Sequence, residues 1–164
     1  MDAGMEMMEL NAKKAYLSQM PELQQRIAFG RQRACSLRRD AEALSAVWGE
    51  HISSHLQDAP YVRKLEEYEE ENRRVEKDLL LLVRLREQME KCFCALPDHR
   101  MRWIMEYRWM DGKSMVRIAD LLFMSRTVVF EKYNMALERL ILPEHPVDIS
   151  CEGRNEVDHS DQVH

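Results

Sequence analysis

Residues that interrupt helices are scarce in this chain, which has 5 glycines and 5 prolines among its 164 residues. Leucine, methionine, glutamate, arginine and alanine are abundant instead, and these residues favour helices over strands and turns. The composition therefore predicts an all-α protein.

Long apolar segments are also missing. No run of about 18 apolar residues occurs, so the sequence predicts no membrane-spanning helix. The segment from Met1 to Leu10 lacks the basic start and the apolar core of a secretory signal. We therefore expect a cytoplasmic protein.

The spacings of common catalytic and metal sites are absent from the sequence. The 4 cysteines have no zinc-ligand spacing, and Cys92 and Cys94 stand two positions apart, where helical side chains point to different faces. Reduced cysteines that take part in packing are thus expected. The 6 histidines are scattered, and no HExxH, GxSxG or phosphate-loop pattern occurs. We expect no enzyme activity, no metal and no cofactor.

Two stretches of the N-terminal half carry apolar or small residues in alternating steps of four and three, the pattern of a coiled-coil seam. The first seam consists of Tyr16, Met20, Leu23, Ile27, Gly30, Ala34, Leu37, Ala41, Leu44 and Trp48. The second seam consists of Tyr61, Leu65, Tyr68, Asn72, Val75, Leu79, Leu82, Arg86, Met89 and Phe93. Because a long one-sided helix does not stand alone, residues 15–95 are predicted to form an antiparallel helical hairpin or a coiled coil between two chains.

Three segments around these seams are predicted to lack regular structure. A linker is expected near residues 49–60, where Gly49, paired serines and Pro60 break the pattern. Residues 1–14 and the acidic residues 143–164 are expected to be disordered. Within the second seam, Asn72 either sets the register of the paired helices or is an exposed side chain on a loosely packed helix.

The segment from Gly112 to Leu140 has the pattern of two short amphipathic helices joined by a tight corner, which is a helix-turn-helix. Ser114 and Ser125 can cap the two helices, and Phe123 and Met124 form the corner. The inward positions are Ile118, Ala119 and Leu122 in the first helix, and Val129, Tyr133, Ala136, Leu137 and Leu140 in the second. A preceding helix at residues 99–110 completes a trihelical module over residues 96–142.

The exposed start of the second helix is where such a module contacts base edges, which predicts binding to double-stranded DNA. Arg126 can pair with guanine, Thr127 with a thymine methyl group or a phosphate, and Glu131 with cytosine. The other predicted contact residues on this helix are Ser125, Phe130 and Asn134.

A phosphate site is predicted at the start of the first helix of the corner. Lys113 and Arg117 supply two cations there, and Ser114 stands beside the free backbone N–H groups. Such contacts position a protein on DNA and carry no sequence information.

From Arg100 to Leu140 the chain resembles region four of bacterial sigma factors, the part that reads the -35 element of a promoter. The residues that carry this resemblance are Ile104, Tyr107, Arg108, Gly112, Lys113, Ser114, Arg117, Ile118, Ala119, Leu121, Leu122, Ser125, Val129 and the ending Ala136 to Leu140. With its paired N-terminal helices, the whole chain resembles small phage and prophage late-gene regulators of the RinA and ArpU type. The resemblance implies a regulator of phage or prophage transcription that acts near RNA polymerase.

The charge of the module qualifies this expectation. The acidity behind the net charge of -5 lies in the two ends of the chain, whereas residues 97–142 carry eight basic and six acidic residues, a balance of +2. So weak a basic character implies that a dimer or a partner such as RNA polymerase supplies part of the affinity. The alternatives are a small terminase-like DNA-packaging protein and a coiled-coil adaptor that does not bind DNA.

Overall fold

A computed structural model describes residues 2–48 and 60–150. All regular structure in these ranges is helical, as the composition predicts. The helices are α1 (Ala3–Trp48), α2 (Pro60–Cys94), α3 (His99–Met105), α4 (Met115–Leu122) and α5 (Arg126–Arg139), and a π-helical turn (Glu106–Met110) follows α3 directly. None of the helices in the described ranges combines the length and the apolar character needed to cross a membrane.

The chain divides into two compact units. Unit 1 consists of Met1–Leu23 together with Leu81–His164, and unit 2 consists of Gln24–Leu80. Unit 1 therefore contains the start of α1, the end of α2 and the whole trihelical module, whereas unit 2 contains the remainder of α1 and α2.

In unit 2 the segments of α1 and α2 run antiparallel within one chain. Arg26 donates from Nη2 to Asp78 Oδ1 over 2.6 Å and from Nε to Asp78 Oδ2 over 3.0 Å. About two turns further along α1 and back along α2, Arg33 Nε lies 3.6 Å from Glu71 Oε2. The predicted seam residues that are buried here are Ile27, Gly30, Ala34, Leu37, Ala41 and Val75. The hairpin alternative of the sequence prediction is thus the arrangement within this unit.

The two helices of unit 2 approach each other closely at Gly30. A Cβ atom added there would lie 2.7 Å from Val75 Cγ2, a distance that real side chains do not tolerate. Although alanine is the better helix former by about 1 kcal/mol, Gly30→Ala should lower the free energy of unfolding of unit 2 by about 1–3 kcal/mol because the contact is overpacked. In a Val75→Ala background, Gly30→Ala should cost less than it does in the wild-type background. Denaturant titrations of the two single variants and of the double variant measure this difference. Equal effects of Gly30→Ala in both backgrounds would contradict the contact.

The core of unit 1 begins with the first part of α1 and the last part of α2. Its buried residues on these two segments are Tyr16, Leu17, Met20, Leu23, Leu81, Leu85, Met89, Cys92 and Phe93. The Tyr16 hydroxyl donates to Gln88 Oε1 over 3.1 Å. Burial raises the pKa of this hydroxyl, and the neighbouring Cys92 raises it further, so Tyr16 remains a donor at neutral pH.

The second seam differs from its prediction towards the end of α2. Leu81 and Leu85 are buried, whereas Leu82 is half-buried and Arg86 is exposed. The apolar run at residues 79–82 offers four consecutive candidates, so the periodicity alone does not select the buried ones. Asn72 is exposed. Of the two alternatives for this residue, the exposed side chain is therefore the one observed.

Both ends of the described chain are more ordered than the sequence predicts. Residues 3–14 belong to α1 because the chain packs again on α5 near Lys13, as described below. Residues 143–150 have no helix, yet Val147 and Ile149 are buried. The amides of Gln19 and Gln88 hold this segment: the Val147 N–H donates to Gln88 Oε1 over 2.9 Å, and the Ile149 N–H donates to Gln19 Oε1 over 3.0 Å. The predicted linker at residues 49–59 and the tail residues 151–164 lie outside the described residues.

Candidate nucleic-acid interface

The candidate interface lies on the trihelical module of α3, α4 and α5. Two serines begin the last two helices, as predicted. Ser114 Oγ accepts a hydrogen bond from the Arg117 N–H over 3.2 Å, and Ser125 Oγ accepts one from the Val128 N–H over 3.3 Å. Each side chain satisfies a backbone donor that the first turn of a helix leaves free, and such a cap contributes about 1 kcal/mol.

A small apolar core sets the crossing of the three helices. Ile104 of α3, Ile118 and Ala119 of α4 and Val129 of α5 are buried together. The residues that pack against this core are Tyr107, Met115, Leu122, Met124 and Tyr133. Most of the predicted inward positions are therefore correct, and Ala119 supplies the small side chain where α4 and α5 meet. Trp103 of α3 remains 46% exposed.

The corner between α4 and α5 contains a residue in an unfavourable backbone conformation. Phe123 has a φ of 53°, in the left-handed region, and its side chain is 97% exposed. A residue with a Cβ atom pays about 1–2 kcal/mol to adopt this conformation. The Met124 N–H, which donates to the Ala119 carbonyl over 3.0 Å, closes the turn and directs the chain into α5.

All the predicted contact residues are exposed. On α4 and the turn before it these are Lys113, Ser114 and Arg117, and on α5 and its cap they are Ser125, Arg126, Thr127, Phe130, Glu131 and Asn134. On α5, Arg126, Phe130 and Asn134 follow one another about one turn apart, and Thr127 and Glu131 lie beside them about one turn apart. These residues therefore share one face of the helix. Among the described residues no ion pair engages the side chains of Lys113, Arg117 or Arg126, which leaves these charges available to a ligand.

Lys132 lies off this face and orients α5. Its Nζ atom is 2.7 Å from Asp98 Oδ2, and Asp98 also caps α3 by accepting from the Arg100 N–H over 2.9 Å. The hydrogen bond from Lys132 is the main reason that the pKa of Asp98 is lowered. This ion pair removes Lys132 from the cations that are available to a ligand.

Lys13 is a buried cation beside the C-terminal end of α5 that the sequence patterns did not reveal. It is 5% exposed, and its Nζ atom donates to the Leu137 and Glu138 carbonyls at the end of α5, each over 3.0 Å. These carbonyls are among those that a helix leaves without an intrahelical partner, and a cation there also complements the helix dipole. Lys13 therefore supports α5 from the end opposite to its exposed start.

A cavity of about 440 Å³ opens beside the core of the module, lined by Trp103, Glu106, Tyr107, Asp111 and Leu122. None of these residues belongs to the predicted contact set. Within the described ranges no group of three or more His, Cys, Asp or Glu side chains could hold a metal ion.

Comparison with known proteins finds no family model, no curated protein and no solved structure that matches this chain. The resemblance to sigma region four thus depends on the residues between Ile104 and Leu140. Their geometry consists of two serine-capped helices, a tight corner and an exposed polar face on α5.

Proposed function

We propose that the protein is a sequence-specific DNA-binding regulator of transcription, of the kind found in phages and prophages, which acts through α4 and α5. The observation that carries this proposal is the joint exposure of Arg126, Thr127, Glu131 and Asn134 on one face at the start of a capped helix. In helix-turn-helix proteins this face of the second helix enters the major groove.

The side chains on the α5 face suit base recognition. Arg126 can donate two hydrogen bonds to guanine, and Asn134 can exchange hydrogen bonds with adenine. Thr127 and Phe130 offer apolar atoms to thymine methyl groups, and Glu131 accepts from the amino group of cytosine. This mixture of donors, acceptors and apolar atoms is what discrimination among base pairs requires.

The start of α4 suits a phosphate. Lys113 and Arg117 flank the first turn of α4. The free backbone N–H groups of a first turn lie at the positive end of the helix dipole, where an anion is favoured. The charge balance of +2 in residues 97–142 nevertheless predicts weak binding by the module alone. In unit 2 the seams close within one chain, so the apolar faces buried there give no reason for self-association. We therefore propose that a contact with RNA polymerase supplies the remaining affinity.

Arg126→Ala should weaken binding to the preferred site by about 1–3 kcal/mol and relax the preference at one base pair. The site is first obtained by selection from random duplexes, and affinities are then measured by fluorescence anisotropy on the selected duplex and its single-base variants. Arg139→Ala is the matched control because it removes the same charge from the exposed far end of α5. If both variants lose the same affinity on every duplex, Arg126 acts only through its charge.

Lys113→Ala is expected to weaken binding to all duplexes alike. It should also reduce the slope of log affinity against log salt by about 1, because one phosphate contact is lost. Absence of salt-sensitive DNA binding by the wild type would contradict the proposal and favour the coiled-coil adaptor.

The regulatory step is tested by transcription in vitro with purified components. The protein should change the yield from a promoter that carries its selected site when a complete polymerase holoenzyme is present. It should not start transcription with core polymerase alone, because nothing in the chain resembles the sigma regions that bind a -10 element or melt DNA. Binding to the site without a change in transcript level would favour the DNA-packaging alternative.

A further inference from the structure

The cavity beside the helix-turn-helix core has a lining that combines negative charge with aromatic surface. Glu106 and Asp111 supply two carboxylates, Trp103 and Tyr107 supply two rings, and Leu122 of α4 supplies an aliphatic side chain. No lysine or arginine lines the cavity, and no ion pair engages either carboxylate among the residues that the structure describes.

The π-helical turn after α3 contains Glu106 and leads directly into Asp111, the two acidic residues of the cavity lining. The Asp111 N–H donates to the Glu106 carbonyl over 3.2 Å, so the backbone hydrogen bond joins residues five apart here, whereas in an α-helix it joins residues four apart. Gly112, with a φ of 64°, then reverses the chain, and the Lys113 N–H donates to the Tyr107 carbonyl over 2.9 Å. The backbone thus holds Asp111 at the rim of the cavity, and π-helical turns of this kind occur often at functional sites.

The aromatic side of the cavity is also held in place. The Trp103 indole makes an edge contact with the His99 ring, with the ring centroids 4.8 Å apart. Tyr107 packs against the buried core of Ile104, Ile118 and Val129. An exposed indole whose orientation is already set loses little freedom on binding a ligand, and a cation placed over its face is attracted by the ring electrons.

We propose that this cavity binds an arginine side chain presented by a partner protein. A guanidinium group is planar, so it can stack on an aromatic ring while its edge donates to carboxylates, which a compact ammonium group cannot do in the same way. The two carboxylates would repel a nucleic acid, so the site is separate from the DNA contacts and does not depend on them. The residues at 151–164 are a poor occupant because they carry one arginine against Glu152, Glu156, Asp158 and Asp161.

The test uses the full chain and a blocked tripeptide, acetyl-Ala-Arg-Ala-amide, with its citrulline analogue as the neutral match of the same shape. Binding is followed by the NMR signals of the Trp103 indole and of the Glu106 and Asp111 amides. The arginine peptide should give saturable shifts with a dissociation constant of about 1 mM. The citrulline peptide should bind at least about 10-fold more weakly. Absence of a saturable shift up to about 10 mM, or equal binding of the two peptides, would overturn the proposal.

The lining residues are tested with charge-matched variants. Glu106→Gln/Asp111→Asn should weaken the arginine peptide about 10-fold, whereas Asp120→Asn/Glu138→Gln, which removes two exposed carboxylates outside the cavity, should leave its binding unchanged. Equal losses in both double variants would mean that only the net charge matters and would overturn the site.

Sedimentation of the wild type and of the first double variant identifies the source of the arginine. A wild-type dimer that this variant dissociates would make a second copy the occupant and overturn the assignment to a different protein.

Discussion

Phe93→Ala should lower the free energy of unfolding of unit 1 by about 3–5 kcal/mol, because truncation of a fully buried phenylalanine removes its apolar burial and leaves a cavity. Phe93 is 0% exposed in the last turn of α2, and Leu96, just beyond the helix, is also buried. Denaturant unfolding can be followed by tryptophan fluorescence in a Trp48→Phe background, since the remaining tryptophans, Trp103 and Trp109, both belong to unit 1.

Phe123→Ala is the matched control for this substitution. It removes the same atoms from the same unit, but the Phe123 side chain is 97% exposed. Its effect should therefore stay within about 0.5 kcal/mol of zero. A loss at Phe93 no larger than that at Phe123 would mean that the end of α2 does not form part of the core of unit 1.

Lys13→Met should lower the free energy of unfolding of unit 1 by about 1–3 kcal/mol. Methionine keeps most of the side-chain length but leaves the Leu137 and Glu138 carbonyls without their donor, and it removes a cation from the negative end of the α5 dipole. Hydrogen exchange of amides in the last turn of α5 should accelerate in parallel. Lys14→Met is the control, because the neighbouring Lys14 is exposed and should be neutral within about 0.5 kcal/mol. The same loss from both lysines would show that general charge, not the contact with α5, is responsible.

The features that could be predicted from the sequence are those that depend on residues close together in the chain. The two serine caps, the corner at Phe123 and the exposed face of α5 follow from spacing within a few turns, and the structure places them as expected. Every predicted position of the first seam from Tyr16 to Ala41 is buried, and Leu17, which lies beside the seam, is buried as well.

The features that were missed depend on partners far away in the chain. Lys13 meets carbonyls more than a hundred residues later, and no local pattern distinguishes it from the exposed Lys14. Residues 143–150 looked disordered because they are polar and contain Pro146, yet side chains of α1 and α2 hold their backbone. In α2 the leucine run satisfied several registers at once, and only packing could choose among them.

The contact of Lys13 with α5 also bears on how the protein reaches its native state during synthesis. The two partners Lys13 and Leu137 are separated by 124 positions, and unit 1 is assembled from chain segments on both sides of unit 2. At a translation rate of about 5–20 residues per second, the start of α1 leaves the ribosome about 6–25 s before α5 exists. During that time the apolar face of the start of α1 has no α5 to pack against, so closure of the long intervening chain must precede this contact.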